Sequence, residues 1–247
     1  MPTWSLALLS GAIGGATLLI GAALAWFFRV PPKLTAAVSA FGAGVLISAL
    51  AYELVAEAAD DGGLLPTVLG TLAGAIVFVG ADALLSRAGA ANRKSSSGSG
   101  GGGGAAIAAG ALIDGVPESI VLGLSVAQGG SAAAISVPIV AAVAISNLPE
   151  GLSSTAGMKS DGRSARYVFT VWGGIAAASA AAALVGFLVF ATAPGAVVAF
   201  VTTVAAGAIL AMISNTMIPE AFDRDNVLTG LYAVLGFVTA FTLHSLG

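Results

Sequence analysis

With 247 residues, 57% of them hydrophobic and only 9% charged, and a mean hydropathy of +1.00, the chain is too apolar for a water-soluble globule and reads as a polytopic all-α membrane protein. The absence of cysteine excludes disulfides, thiolate metal sites and cysteine nucleophiles, and a net charge of −3 without a basic cluster leaves no footprint for nucleic acid. Thirty-four glycines fit the same class, since spanning helices pack by letting small residues bring backbones together.

The spacing predicts a single transmembrane domain over 1–247 with eight spans, at about 4–28, 34–58, 64–85, 105–127, 132–157, 167–192, 196–221 and 227–246. The first is too long for a signal-peptide core and lacks a basic n-region, so it reads as a span. Arg29 to Lys33 ends it, and an acidic turn, Asp60-Asp61-Gly62-Gly63, ends the second. Residues 88–104, rich in Ser and Gly, read as a flexible cytoplasmic loop. Gln128-Gly129-Gly130-Ser131 is short enough to force a tight turn between the fourth and fifth spans, and Pro194-Gly195 separates the sixth from the seventh. All nine Lys and Arg fall on odd-numbered loops, which puts those loops in the cytoplasm and both termini outside. Trp4, Trp26 and Tyr167 near span ends fit an interfacial belt, and His244, the one histidine, reads as interfacial too.

A long internal repeat links the second and seventh spans, with identities at Ala43/Ala206, Gly44/Gly207, Glu57/Glu220, Ala58/Ala221 and Asp60/Asp223. Those spans run in opposite directions, so the repeat predicts spans 1–3 inverted against 6–8 around a central pair 4–5, a layout that secondary transporters use to enclose a midplane site. Chance similarity between Ala/Gly-rich helices is the plainer alternative.

The chemistry concentrates in the fourth and fifth spans. Ile113-Asp114-Gly115-Val116-Pro117-Glu118-Ser119 and Ile145-Ser146-Asn147-Leu148-Pro149-Glu150-Gly151 match at Ile, Pro and Glu. Asp114 and Glu118 share one helical face, as do Ser146, Asn147 and Glu150. Pro117 and Pro149 have no N–H to give the carbonyls of Ile113 and Ile145, and a carbonyl freed at membrane depth needs another polar partner. Carboxylates at such depth cost ~2.5–3.5 kcal/mol each even on the lenient insertion scale and mark functional sites by default. No span supplies a Lys or Arg for Asp114, Glu118 or Glu150, and His244 is remote, so the expected counter-charge is a metal ion or protons. The bland alternative is protonated acids packed against Ser and Asn, with the prolines acting as kinks.

The pattern resembles that of the ZIP (Zrt/Irt-like) family of divalent-metal transporters, whose paired helices carry motifs of the form His-Asn-x-Pro-Glu-Gly. The likeness extends to eight spans, outside termini, a variable third loop, and the segments Glu53-Leu54-Val55-Ala56-Glu57-Ala58 and Met217-Ile218-Pro219-Glu220-Ala221, which are similar to the family's Leu-x-Pro-Glu-Ala endings. Under the resemblance Asp114 stands at the usual His, Gly115 at Asn, Glu118 at the Glu or Asp, Ser146 at His or Gln, Asn147 at Asn or Asp, and Glu150 at the Glu. Both motif histidines are therefore missing, and Gly115 has no side chain to bind a metal. What the resemblance implies is transport of a divalent cation toward the cytoplasm across a plasma membrane, here a bacterial inner membrane. Zinc is the first candidate on family grounds. An all-oxygen donor set suits harder ions, which brings in manganese and iron, with cadmium behind. The family's binuclear arrangement around Glu118 and Glu150 is weakened by the loss at Gly115.

Glu53 and Glu57 read as an entry station, Glu220 as an exit station, and Asn215 with Ser214 as a contribution from the seventh span, each against the alternative of plain helix-end polarity. Metal ions and lipid are the expected partners, with homodimerisation left open. An intramembrane enzyme is excluded for want of His-Glu-x-x-His, Cys or a catalytic His-Ser pair. A proton-coupled carrier of another solute and a metal-sensing family member that no longer transports are the competing readings.

Overall fold

A computed structural model describes residues 2–85, 103–129, 136–225 and 227–246, and among them every regular element is helical. Eight helices are long and apolar enough to cross a bilayer, which makes the chain a multi-pass integral membrane protein. They are α1 (Thr3–Phe27), α2 (Pro32–Gly62), α3 (Leu64–Leu85), α4 (Gly103–Gly129), α5 (Val137–Ser160), α6 (Ala165–Phe190), α7 (Gly195–Arg224) and α8 (Thr229–Leu246).

Local chemistry fixes the helix ends. Pro32 opens α2, where its missing N–H costs nothing. Ser136 and Ser164 cap α5 and α6 by accepting from the amides of Ile139 and Tyr167. The acidic turn expected after the second span is nearly all helix: α2 continues through Asp60 and Asp61 to Gly62, and Gly63, at φ 93°, alone reverses the chain into α3. At its far end α7 also runs past the expected stop at Ala221, to Arg224. Most of the Ser/Gly-rich loop, with Arg93 and Lys94, the neighbouring Arg87, Gly130 and Ser131 of the expected tight turn, and the first residues expected in the fifth span, 132–135, lie outside the described residues; Gly103 and Gly104 already belong to α4, and Gln128 and Gly129 still do.

The centre of the molecule is built by α2, α4, α5 and α7, whose Val45, Leu46, Leu50, Leu54, Val121, Leu122, Ile139, Val143, Ile209 and Met212 form the main buried cluster. The remaining helices lie outside this core: α3, α6 and α8 are only 22%, 22% and 17% buried over their spans, with the rest left to lipid. α1 packs on α5 and α6, α4 on α6 and α7, α2 on α5 and α8, and α3 on α7, whereas α4 and α5 touch each other only lightly.

Four of these pairs share one reciprocal contact. A Cβ on Gly44 of α2 would stand 1.8 Å from the carbonyl oxygen of Ala233 on α8, and one on Gly236 would stand 2.0 Å from that of Phe41. The same holds for Gly207 against Thr71 and Gly74 against Val204 (α7 and α3), for Gly21 against Leu148 and Gly151 against Leu18 (α1 and α5), and for Gly186 against Ile120 and Gly123 against Ala183 (α6 and α4). In each pair the glycine meets the carbonyl about one turn before its partner's glycine, at a distance only a hydrogen tolerates.

Among the described residues the regular ladder is interrupted twice, by π-helical stretches at Leu50–Ala56 in α2 and Ile213–Met217 in α7. Leu50 stands to Ile213 in the sequence as Ala43 stands to Ala206. Stretches of this kind widen the helix locally and gather at functional sites.

Candidate functional site

A narrow crevice opens between α2, α4, α5 and α7 at the end of the bundle where the α1–α2, α5–α6 and α7–α8 connections lie. Thr35 and Ser39 come from α2, Glu118 from α4, Ser146, Pro149, Glu150 and Ser153 from α5, and Met212, Met217, Glu220 and Arg224 from α7. Its volume is about 20 Å³, space for roughly one water-sized body. Glu118 closes its deep end and is only 2% exposed. Three carboxyl groups, Glu118, Glu150 and Glu220, thus share the crevice with one guanidinium, that of Arg224.

Both motif helices run unbroken through their prolines. On α5 the Ile145 carbonyl, which Pro149 cannot bond, faces Gly42 of α2, where an added Cβ would stand 3.3 Å away. The glycine therefore lets α2 approach the proline-freed turn that carries Ser146 into the crevice. The Ser146 hydroxyl donates to the Val143 carbonyl at 3.0 Å, which leaves its lone pairs for a further partner. On α4 Ser119 donates to the Gly115 carbonyl at 2.6 Å, within its own helix.

Beyond Glu118 lies an apolar layer in which Leu46, Leu50, Leu54, Val121, Ile139, Val143 and Ile209 enclose a space of only about 10 Å³. On the far side the molecule opens into a cavity of about 500 Å³ lined by Glu53, Glu57 and Asp61 of α2, Ser125 of α4, Ser136 of α5 and the facing ends of α6 and α7. The two polar spaces thus lie in line, acidic vestibule, apolar layer, acidic crevice, through the centre of the bundle.

The expected residues divide among these places. Glu118, Ser146, Glu150 and Glu220 come together in the crevice. Asp114 is buried on α4 one turn from Glu118, outside the residues that line the crevice. Asn147 donates its amide to the Gly14 carbonyl on α1 at 3.0 Å and is not among the residues that line the crevice. Asn215 and Ser214 are exposed on the π-helical stretch of α7 and are not among the residues that line either space. Glu53 and Glu57 line the vestibule rather than the crevice. Among the described residues no three His, Asp or Glu side chains stand close enough to hold a metal ion between them.

Two further expectations change. Glu118, Glu150, Glu220 and Asp114 all interact with other groups of the protein, and Arg224, expected in a loop, is the last residue of α7 and lines the crevice with the three glutamates. His244 is not simply interfacial: its Nδ1 lies 3.0 Å from Glu53 Oε1, Ser136 Oγ donates to Glu53 Oε2 at 2.8 Å, and the imidazole stacks on Tyr52. Glu53 thereby ties the ends of α2, α5 and α8. Thr35, Ser39 and Ser153 also escaped the sequence reading, although Thr35 and Ser39 are spaced one turn apart on α2 as Ser146 and Glu150 are on α5. No known family model matches the chain, and no curated protein matches its sequence.

Proposed function

We propose that the protein carries divalent metal cations across a membrane, zinc first, with manganese, iron or cadmium as alternatives, and that Glu118, Ser146 and Glu150 are the principal cation ligands. The observation that carries this reading is the shared crevice of Glu118, Glu150 and Glu220, which holds three carboxyl groups against the single guanidinium of Arg224. One divalent cation matches that formal imbalance, and burial raises the energetic weight of matching it. The resemblance of the two motif stretches to the ZIP family supports the same reading.

In this scheme Glu53, Glu57 and Asp61 concentrate hydrated cations in the vestibule. The apolar layer holds the path closed until the helices shift, and the ion then exchanges water for Glu118, Ser146 and Glu150 before leaving past Glu220 and Arg224. Glu118 on α4 and Ser146 and Glu150 on α5 come from two helices that touch each other only lightly, so an ion held by all three would bridge them. The basic residues of the α1–α2 and α5–α6 connections support a cytoplasmic crevice end by the positive-inside tendency, with the termini outside, and the resemblance supports inward transport. The reciprocal glycine contacts and the matched π-helical stretches support an inverted repeat of α1–α3 and α6–α8, with α4 equivalent to α5.

Uptake of each metal into liposomes containing the purified protein tests the proposal. Glu118→Ala and Glu150→Ala should each reduce flux to the protein-free background while the protein remains folded. Unchanged flux in both variants refutes the assignment, and flux driven by a pH gradient without metal would favour the proton-coupled carrier.

A further inference from the structure

One corner at the crevice end of the bundle carries a cationic surface whose side chains line neither the crevice nor the vestibule. The last turn of α1, the last turn of α5 and the first turn of α6 meet there. Lys159 donates to the Trp26 carbonyl at 2.7 Å and lies over the Trp26 ring at 5.4 Å. That carbonyl belongs to the final turn of α1, where the helix supplies no amide for it, so the ammonium caps the helix and meets the negative end of its dipole. Arg163 lies over the Tyr167 ring at 5.1 Å. Phe169 packs edge-on against Trp26 and stacks on Phe27, which is 71% exposed. Arg29 and Arg166 extend the exposed cationic surface on either side.

Rings of this kind, amphipathic and half-exposed beside exposed phenylalanine, occupy the depth of lipid headgroups. A cation held over such a ring is set at phosphate height with donors to spare: Lys159 uses one of its three, and the planar guanidinium of Arg163 presents a fork suited to phosphate oxygens. Asp161 is the single acid in the α5–α6 connection, so the corner stays net positive. The opposite end of the bundle presents Glu57, Asp60 and Asp61, a surface that repels anions.

We infer that this corner binds the phosphate headgroup of an anionic phospholipid, with Lys159, Arg163 and Arg166 as its cationic contacts and the Trp26, Phe27 and Phe169 rings against the upper acyl chain. The lipid would anchor the α5–α6 connection, and through α5 the helix that carries Ser146 and Glu150.

The test is lipid retention by the full chain in detergent, with phosphatidylglycerol and phosphatidylcholine of equal chain length added together and the bound ratio read by native mass spectrometry. Phosphatidylglycerol should be retained in preference, and Lys159→Gln, Arg163→Gln and Arg166→Gln should each cut the preference by about fivefold. Arg166→Gln is the safeguard variant, because Arg166 is exposed and makes none of the ring contacts described for Lys159 and Arg163. No preference in the parent protein, or an undiminished one in all three variants, overturns the inference. So does equal competition by soluble glycerol phosphate, which would mark an anion pocket rather than a lipid site. The readout needs no metal flux, so it stands or falls apart from the transport proposal.

Discussion

Gly44 of α2 lies against the carbonyl oxygen of Ala233 on α8, so near that a Cβ there would stand 1.8 Å away. No rotamer relieves such a clash, because the obstructing atom is backbone. Gly44→Ala must therefore push two helices apart, and overpacking of this kind costs about 1–3 kcal/mol or more. The expected result is a clear drop in thermal stability in detergent or loss of the folded protein. Gly173→Ala on α6, where nothing lies within 4 Å, is the matched control and should be neutral or slightly stabilising.

The corresponding test on α7 addresses the repeat. If α2 and α8 are packed as α7 and α3 are, Gly207→Ala, whose Cβ would stand 2.0 Å from the Thr71 carbonyl, should lose stability to a similar degree. Melting curves of the two variants side by side decide the matter: a Gly207→Ala protein as stable as its parent would separate the two helix pairs energetically.

Much of this architecture was legible in the sequence because it rests on properties local to each segment. Apolar length gave the eight spans, the stretch from Arg29 to Lys33 and the pair Pro194-Gly195 marked breaks between spans, and the repeat identity of Gly44 with Gly207 falls on two glycines that face carbonyls. What stayed hidden depends on which way a face turns. Asn147 sits next to Ser146 in sequence, yet a step of one residue turns a helix by ~100°, enough to send the amide to α1 and leave the hydroxyl in the crevice. The contact between His244 and Glu53 joins residues 191 apart, beyond any local pattern. The two motifs match Glu118 with Glu150, whereas matching the glycine contacts at Gly123 and Gly151 shifts the register by one turn and pairs Glu118 with Ser146.

Asn147 should accordingly behave as a packing residue. Asn147→Ala removes one buried hydrogen bond to Gly14, whose carbonyl keeps a second donor in the Thr17 hydroxyl at 2.7 Å. The expected loss is on the order of 1 kcal/mol in stability, with metal uptake and its ion preference intact. Uptake at several metal concentrations checks this, and a changed preference among zinc, manganese and iron would return Asn147 to the ligand set.

The apolar layer between Glu118 and the vestibule makes a separable prediction. Leu50 and Ile139 line it from α2 and α5, and both are buried. Replacing either with Ala removes bulk from a space of about 10 Å³ and should let water, and with it cations, reach Glu118 from the vestibule. The expected outcome is faster metal uptake at a cost of about 2–5 kcal/mol in stability. Slower uptake with the fold intact would mean that the layer serves packing alone.

Arg224 gives the sharpest test of the charge arithmetic, because among the described residues it is the one cation lining the crevice with Glu118, Glu150 and Glu220. Arg224→Gln keeps a hydrogen-bonding side chain of similar reach and leaves three carboxyl groups without that guanidinium, so a divalent cation should be held more tightly and released more slowly. For a half-buried group at the mouth of a crevice the gain is on the order of 1 kcal/mol, about fivefold in affinity, because solvent screens part of the charge. Equilibrium binding should strengthen by that factor while the maximal uptake rate falls. If the arginine served only to hold α7 in place, stability would drop with no gain in affinity, and the balance of three carboxyl groups against one cation would lose its claim to set the cargo's charge.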